Sequence, residues 1–251
     1  MNILLTNDDG IYAEGIRVLY ESLNDLGSVT VVAPDTERSA VGHAITLSDP
    51  LRVKKVTRGN KFFGYATTGT PADCVKLAIR AILRKRPDIV ISGINLGPNT
   101  GYSVLYSGTV SGATEGAILN IPSFAISLAT FENPDYSVAA GFAKKLARLI
   151  INNKGIPHGT LLNVNIPAVD KKNIKGVKIV RQSRTAIEER FDKREDPRKR
   201  TYYWLTGEII KSDGHADADI EAIRNNYISV TPIRCDMTDY GFMEELKQWK
   251  I

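Results

Sequence analysis

The chain has 251 residues, of which 43% are hydrophobic and 24% are charged, so it is long enough for one large domain with a substantial apolar core. Its net charge of +5 is the small difference between 33 basic and 28 acidic residues, which favours nucleic-acid binding only weakly. Two cysteines, Cys74 and Cys235, are too few for a disulfide framework, and no apolar run approaches the length of a membrane span, so we expect a cytoplasmic protein with no membrane partner.

The first predicted element is an apolar strand over residues 3–5, which runs directly into Asp8, Asp9 and Gly10. A strand that is apolar on both faces is typical of the centre of a parallel sheet, and ligands collect beyond the carboxyl ends of such strands. Two adjacent carboxylates there are costly unless a cation lies between them. The pair indicates either a divalent-metal site or, as the simpler alternative, an exposed acidic turn or helix cap.

Helical spacing over residues 16–23 and a β-branched strand over 28–34 complete a βαβ unit. Three short strands are expected next, and then a helix that opens with Thr70 as its N-cap and Pro71 at its first position. The three strands are expected over residues 44–47, 51–56 and 62–66.

A buried strand over residues 88–95 ends on Asn95, and a helix of small residues runs from 107 to about 120. A strand over 123–128 and an amphipathic helix over 135–153 follow. The alternation of strands and helices predicts an α/β fold, Rossmann-like, with a doubly wound and mainly parallel sheet.

Beyond residue 160 the alternation loosens, and residues 184–200 carry dense charges of both signs, which predict a solvated loop or the tip of a projecting arm. Strands on either side of this loop predict a hairpin over about 177–210, of a kind that pairs with another subunit. We therefore expect a catalytic core over 1–160 and a C-terminal part over 161–251 that completes the domain and ends in a helix. The C-terminal elements are predicted as strands over 161–166, 177–180, 202–205 and 227–233 and helices over 218–225 and 240–249.

Four oxygen donors follow three of the predicted strands: Asp8, Asp9, Ser39 and Asn95. Carboxylate, amide and hydroxyl oxygens suit Mg²⁺, Mn²⁺ or Ca²⁺ rather than zinc. Gly10 permits the turn that lets both aspartates converge beyond the strand. The alternative is that Ser39 and Asn95 are simple helix caps.

A second cluster, Ser107, Gly108 and Thr109, begins a helix with two hydroxyls and unpaired backbone amides. Such a start binds anions, and the helix dipole favours phosphate there. The alternative is a capped helix whose Gly108, Gly112 and Gly116 allow close packing. A metal site and an anion site on one edge of the sheet together favour phosphoryl chemistry.

The sequence indicates the roles of other side chains near these clusters less specifically. His43, close to the Ser39 loop, is either a proton donor or phosphate contact or, more commonly for such a residue, a structural hydrogen-bonding group. Tyr102 and Tyr106 are candidates to stack on a base or sugar. The chain has no G-x-G-x-x-G fingerprint, no P-loop and no G-x-S-x-G elbow.

Several blocks of sequence, in the same order along the chain, resemble the SurE survival-protein family. They are Thr6-Asn7-Asp8-Asp9-Gly10-Ile11, Ala33-Pro34 with Glu37-Arg38-Ser39-Ala40, Thr68-Gly69-Thr70-Pro71-Ala72-Asp73, Ser92-Gly93-Ile94-Asn95, Ser107-Gly108-Thr109-Val110-Ser111-Gly112, Val164-Asn165-Ile166-Pro167 and Tyr227-Ile228-Ser229-Val230-Thr231-Pro232.

The resemblance implies a metal-dependent nucleotidase that hydrolyses nucleoside 5′- and 3′-monophosphates, cytoplasmic and dimeric or tetrameric, with C-terminal elements exchanged between subunits. The family's metal positions fall on Asp8, Asp9, Ser39 and Asn95, with one Mg²⁺ or Mn²⁺ per subunit expected and Ca²⁺ as a substitute. Its phosphate loop falls on Ser107, Gly108 and Thr109, and we add Asn95 as a further phosphate contact.

We expect direct attack of a water molecule on the phosphomonoester, with Asp8, Asp9 and Asn95 as catalytic residues and Asn7, Gly10 and His43 in support. Two other classes are weighed against the enzyme. A phospho-receiver module also carries paired acids after its first strand, but the strand ending at Asn95 offers an amide where a receiver has its phosphorylated aspartate. A basic nucleic-acid-binding protein is favoured only by the net charge, and no stable nucleic-acid partner is expected.

Overall fold

A nine-stranded sheet forms the centre of this computed structural model, which describes residues 1–153, 155–184, 187–209 and 214–249. The strands are β1 (Asn2–Thr6), β2 (Ser28–Pro34), β3 (Val53–Arg58), β4 (Lys61–Thr67), β5 (Ile89–Leu96), β6 (Ser123–Ala129), β7 (Thr160–Pro167), β8 (Gly176–Ile179), β9 (Ile187–Glu195), β10 (Thr201–Ile209) and β11 (Tyr227–Arg234). The α-helices are α1 (Glu14–Leu23), α2 (Pro71–Leu77), α3 (Gly108–Ile118), α4 (Ser137–Asn152), α5 (Asp219–Arg224) and α6 (Tyr240–Leu246).

The strand order in the large sheet is β3-β4-β2-β1-β5-β6-β7-β11-β8. The six strands from β4 to β7 are mutually parallel, while β3 and β11 run antiparallel to their neighbours β4 and β7. The chain leaves β1 in one direction to build β2 and β4, and then returns to the other side of β1 to build β5. The gap between β1 and β5 is therefore the switch point at which ligands bind in such sheets.

Alternate residues of a strand point to opposite faces of the sheet, and the central strands carry apolar side chains on both. Helices therefore cover both faces. Ile3 and Leu5 of β1 pack with α1 and α4, whereas Leu4 packs with α2 on the other face. Full burial of each such side chain contributes about 1.5–3 kcal/mol to folding. The predicted Rossmann-like, doubly wound and mainly parallel α/β fold is confirmed.

Helix α3 lies unusually close to the sheet. A β-carbon on Gly112 would lie 2.7 Å from Thr6 Cγ2 and 2.8 Å from Ser92 Oγ. These two side chains belong to β1 and β5, so only a helix with glycine at this position can sit directly over the switch point. The close packing explains the small residues of the helix and carries its first turn to the ends of both strands.

The strand expected over residues 44–47 is wrong, because this segment has no regular secondary structure. Its backbone forms hydrogen bonds with side chains at the start of α2 instead. The Thr70 hydroxyl donates to Ala44 O at 2.8 Å, and the Asp73 carboxylate accepts from Thr46 N at 3.1 Å. The predicted cap of α2 is confirmed, since Thr70 Oγ1 accepts from Asp73 N at 3.2 Å and Asp73 accepts in return from Thr70 N at 3.0 Å. The capping residues thus also hold the loop that follows Ser39.

The predicted C-terminal hairpin is present, but its first strand is different from the one we expected. Strand β8, near the predicted 177–180, pairs in parallel with β11 in the large sheet, and the partner of β10 is β9, within the charged stretch that we read as a loop. A two-stranded ribbon exposes both of its faces, so its strands tolerate charges that would exclude them from a core. The predicted limits also include residues 185, 186 and 210, which lie outside the described part of the chain.

None of the helices in the described ranges is both long enough and apolar enough to cross a membrane.

Candidate metal and phosphate site

The turn after β1 is held by its own side chains and by the loop after β2. Asn7 Nδ2 donates to Gly10 O at 3.0 Å, and Ile11 N donates to Pro34 O at 2.8 Å. Gly10 has φ +94°, and a β-carbon there would lie 3.3 Å from the Thr36 carbonyl carbon. Another residue would therefore be strained, which explains the glycine directly after the two acids.

Asp8 is the point at which three segments meet. Its side chain is 4% exposed and accepts a hydrogen bond from the Thr109 hydroxyl on α3, while its carbonyl accepts from Arg38 N at 2.7 Å. Gly108 lies directly against it, since a β-carbon there would be 2.7 Å from Asp8 Cβ. These contacts join the end of β1, the Ser39 loop and the start of α3.

Asp9 lies on the side of the turn that faces β5. Its carboxyl group is half-buried and is within hydrogen-bonding reach of the backbone N–H of Leu96. The neighbouring Asn95 donates its side-chain N–H to Gly97 O at 2.8 Å, which leaves the amide oxygen as the acceptor of this side chain. Asp9 thus reaches the residue that follows Asn95 on β5, and a shared role of these two side chains stays a prediction.

The Asp8 carboxyl group is buried and that of Asp9 is half-buried, so both are partly withdrawn from solvent. Burial, and in addition the neighbouring Asp8 and Glu37, raises the pKa of Asp9 to about 7. Burial also raises the pKa of Asp8, against hydrogen bonds from the Thr109 side chain and backbone. Among the residues that the structure describes, no ion pair reaches either aspartate. Such a pair of acids is expected to bind a cation.

Ser39 lies in the loop whose preceding residue, Arg38, is bonded to Asp8 O. Its hydroxyl is exposed and donates to Glu37 Oε1 at 2.6 Å. Glu37 was missed as a site residue by the sequence reasoning, although it stands two positions before Ser39 and its charge acts on both aspartates. The described ranges contain no cluster of three or more His, Cys, Asp or Glu able to hold a metal, so the donor set has only two carboxylates and relies on amide and hydroxyl oxygens.

Several polar groups in the first turn of α3 already form hydrogen bonds within the protein. Ser107 is the N-cap, and its hydroxyl accepts from Val110 N at 3.1 Å. The Thr109 hydroxyl and backbone N–H both act on the Asp8 carboxyl group, so an acid of the chain itself occupies part of the positive end of the helix. The three residues of the predicted phosphate loop thus lie beside the acids, with Gly108 in direct contact with Asp8.

His43 makes its contact away from the aspartates. Its Nε2 lies 3.0 Å from Oε2 of Glu115, whose other oxygen accepts from Lys76 Nζ at 2.6 Å. Glu115 is six residues beyond Thr109 on α3, about 9 Å along the helix axis. Burial opposes its ionisation, yet the hydrogen bonds from His43 and Lys76 keep the pKa of Glu115 below its usual value. The structural role that we weighed for His43 agrees with this contact.

The fold defines a doubly wound α/β protein with two adjacent acids and a helix start at the switch point of its sheet. The family model described as "Survival protein SurE" matches residues 3–189, so the chain belongs to the SurE family. A relative named 5′-nucleotidase SurE from Syntrophobacter fumaroxidans is 51% identical over the whole of both chains. Another of the same name, from Kosmotoga olearia, is 52% identical over 99% of this chain and 98% of its own.

The fold is also similar to that of a solved structure, the crystal structure of the SurE protein from Aquifex aeolicus. The two chains are 44% identical, the comparison covers 98% of each, and the TM-score is 0.86. The predicted family is confirmed by these comparisons.

Proposed function

We propose that this protein is a divalent-metal-dependent phosphomonoesterase that hydrolyses nucleoside 5′-monophosphates, and also 3′-monophosphates, to nucleoside and phosphate. The observation that carries the proposal is the pair of acids beside the first turn of α3, Asp8 buried and Asp9 half-buried, to which no ion pair reaches among the described residues. The curated relatives are named 5′-nucleotidase SurE, which supports the 5′-monophosphate part of this activity. Family membership favours the enzyme over both the phospho-receiver and the nucleic-acid-binding alternatives.

The residues present fit a divalent cation. Asp8, Asp9, Ser39 and Asn95 would supply carboxylate, hydroxyl and amide oxygens, the donors preferred by Mg²⁺ and Mn²⁺ and also accepted by Ca²⁺. A single ion per subunit would offset the charge of the two buried carboxyl groups. A bound divalent ion supplies positive charge to phosphate oxygens and lowers the pKa of a coordinated water.

The chain's own residues would then orient the phosphate and move one proton. The hydrogen bond from Thr109 to Asp8 fixes that carboxyl group, and one of the two aspartates accepts the proton of the attacking water. Gly108 N–H at the start of α3, the Ser107 hydroxyl and the Asn95 amide would hold phosphate oxygens as charge develops on them. Thr109, whose two donors both reach Asp8, would hold that carboxyl group beside them. Glu37 and Asn7 hold Ser39 and the acidic turn in place.

Release of phosphate from 5′- and 3′-monophosphates, measured with Mg²⁺, with Mn²⁺ and with EDTA, tests this proposal. We expect EDTA to abolish activity, and Asp8→Asn or Asp9→Asn to lower kcat by about a thousandfold or more while the protein stays folded. Asp25→Asn is the matched control, because Asp25 is an exposed acid paired with Lys144 at 2.7 Å on the far end of α1. Wild-type turnover in either site variant would refute the assignment.

We further propose a homodimer or homotetramer in the cytoplasm, with the C-terminal part of the chain, from about residue 161, exchanging elements between subunits. Exposed apolar side chains on the ribbon of β9 and β10 and near α6 support this, because isolated proteins rarely expose such a patch. They are Phe191, Tyr202, Tyr203, Trp204, Leu205, Met237, Tyr240 and Phe242. Two free cysteines, Cys74 and Cys235, support a reducing compartment.

A further inference from the structure

Phe131 is an exposed aromatic residue on a tightly built turn at the carboxyl end of β6. Its side chain is 69% exposed. Thr130 on one side of it donates to Leu128 O through its backbone at 2.8 Å and to Glu132 O through its hydroxyl, also at 2.8 Å. Glu132 N donates back to Thr130 Oγ1 at 3.1 Å. These bonds fix the residues on both sides of Phe131, and its ring is left exposed to solvent.

One side of the ring rests on Gly97. A β-carbon on this glycine would collide with the ring, with Cζ only 2.9 Å away, and the glycine has φ +107°. Gly97 is in turn bonded to its neighbours, since its N–H donates to Leu128 O at 2.9 Å and its carbonyl accepts from Asn95 Nδ2 at 2.8 Å. The aromatic ring thus packs on a glycine two positions after Asn95, while most of its surface stays exposed.

A cavity of about 200 Å³ opens beside this turn, between the ends of β6 and β7 and the start of α4. Three acids, Glu132, Asp135 and Asp170, line it together with the apolar Leu128 and Val138. Its negative charge repels phosphate, whereas carboxylates accept hydrogen bonds from sugar hydroxyls and from the amino groups of bases. The cavity suits the uncharged end of a nucleotide and not its phosphate.

We propose that Phe131 is the surface on which the nucleobase of the substrate stacks, with the acidic cavity beside it receiving the polar edge of the nucleoside. This inference rests on the proposed function. A base presents a flat face to any aromatic side chain, so stacking selects nucleotides over other phosphomonoesters without selecting strongly among bases. Tyr102 and Tyr106, the aromatic residues named from the sequence, lie instead in the segment that leads into α3.

The test compares Phe131→Ala and Phe131→Trp with wild type, using AMP and ribose 5-phosphate, which carries no base. We expect Phe131→Ala to lower the ratio of kcat/KM for AMP to that for ribose 5-phosphate by about five- to twentyfold, mainly through KM, and Phe131→Trp to restore it. Phe62→Ala is the matched control, because Phe62 is 48% exposed at the amino end of β4, on the opposite edge of the sheet.

Calorimetric binding of AMP and ribose 5-phosphate to the same proteins separates this inference from the proposed function. An enzyme that fails to hydrolyse AMP but loses AMP affinity in Phe131→Ala would overturn the function and support the stacking surface. An unchanged preference for AMP in Phe131→Ala, in turnover and in binding, would overturn the inference. A loss confined to Tyr106→Ala would overturn it as well and would place the base on the other side of the site.

Discussion

Gly108 and Gly116 stand on the same helix, and replacing each with alanine separates the geometry of the site from the stability of the fold. At Gly108 the new methyl group would lie 2.7 Å from Asp8 Cβ, 3.0 Å from Asp8 Oδ2 and 3.2 Å from Arg38 O. At Gly116 it would collide with Ser123 Oγ and lie 2.9 Å from Val90 Cβ. Both substitutions overpack α3 against the sheet, but only the first one displaces a proposed metal ligand.

Two opposing effects determine how much each substitution lowers the free energy of unfolding. Overpacking of this kind costs about 1–3 kcal/mol, and alanine is favoured over glycine in a helix interior by about 1 kcal/mol. Gly116 gains that full propensity, so Gly116→Ala is expected to lower the free energy of unfolding by about 0–2 kcal/mol. Gly108 is the first residue of the helix and gains little, so Gly108→Ala is expected to cost about 1–3 kcal/mol.

The two variants are expected to differ far more in activity than in stability. A displacement of about 1 Å at a reacting group costs on the order of a hundredfold in rate, and the methyl group at Gly108 pushes directly on Asp8. Gly116 lies eight residues further along, about 12 Å by helical rise. We therefore expect kcat/KM to fall by about a hundredfold in Gly108→Ala and by less than about twofold in Gly116→Ala.

Urea unfolding followed by circular dichroism and phosphate release from AMP, both at 25 °C, measure the two quantities on the same samples. If Gly108→Ala retains the activity of Gly116→Ala while both remain folded, the close approach of α3 to Asp8 has no catalytic importance. If Gly116→Ala loses activity equally, the effect belongs to the helix as a whole and the argument from Asp8 fails.

Two further predictions concern buried acids outside the proposed metal site. Glu115→Gln should lower the free energy of unfolding by about 1–2 kcal/mol at neutral pH, because His43 and Lys76 lose a charged acceptor. Since the pKa of Glu115 is lowered on folding, this contribution is present above its ordinary pKa of 4.5 and is lost as the pH falls below it, so urea unfolding curves of the two proteins should converge in acid. Asp219→Asn should cost about 1–3 kcal/mol, because Asp219 is fully buried and accepts from the backbone N–H groups of Gly101 and Ser183, both at 3.0 Å. Thermal unfolding measures this loss, and an unchanged Tm would contradict it.

The arrangement of the acidic strand ends could be predicted from the sequence because it depends on local patterns. Apolar runs identify β1 and β5, and parallel strands bring their carboxyl ends to one edge, so Asp8, Asp9 and Asn95 were expected near one another. The cap of α2 was equally local, since Thr70 and Asp73 are three residues apart. The cap is thus visible within a single helix, and the strand-end residues follow from where two apolar runs stop.

The loop over residues 44–47 shows what such patterns cannot provide. Its apolar residues predict a strand, but among the described residues no strand pairs with it, and its polar groups bond to Thr70 and Asp73 from a later helix. The ribbon strand β9 shows the opposite error, because its many charges predicted a loop where the structure has a strand paired with β10. The contact between Phe131 and Gly97 also has no signature in the sequence, since it joins two turns 34 positions apart.

The strand order around β1 has a consequence for how this crevice is charged. In sheets of this order that bind dinucleotides, the loop after the first strand is rich in glycine, and its amides, with the helix that follows, hold the anionic pyrophosphate. Here the same loop carries Asp8 and Asp9, and the helix start that approaches the site is that of α3, across the switch point. We propose that these two acids make the first loop attract a cation instead of an anion, and that the start of α3 on the opposite wall takes the phosphate. A nucleotide bound as proposed would therefore lie with its phosphate turned away from the position that a dinucleotide cofactor gives it.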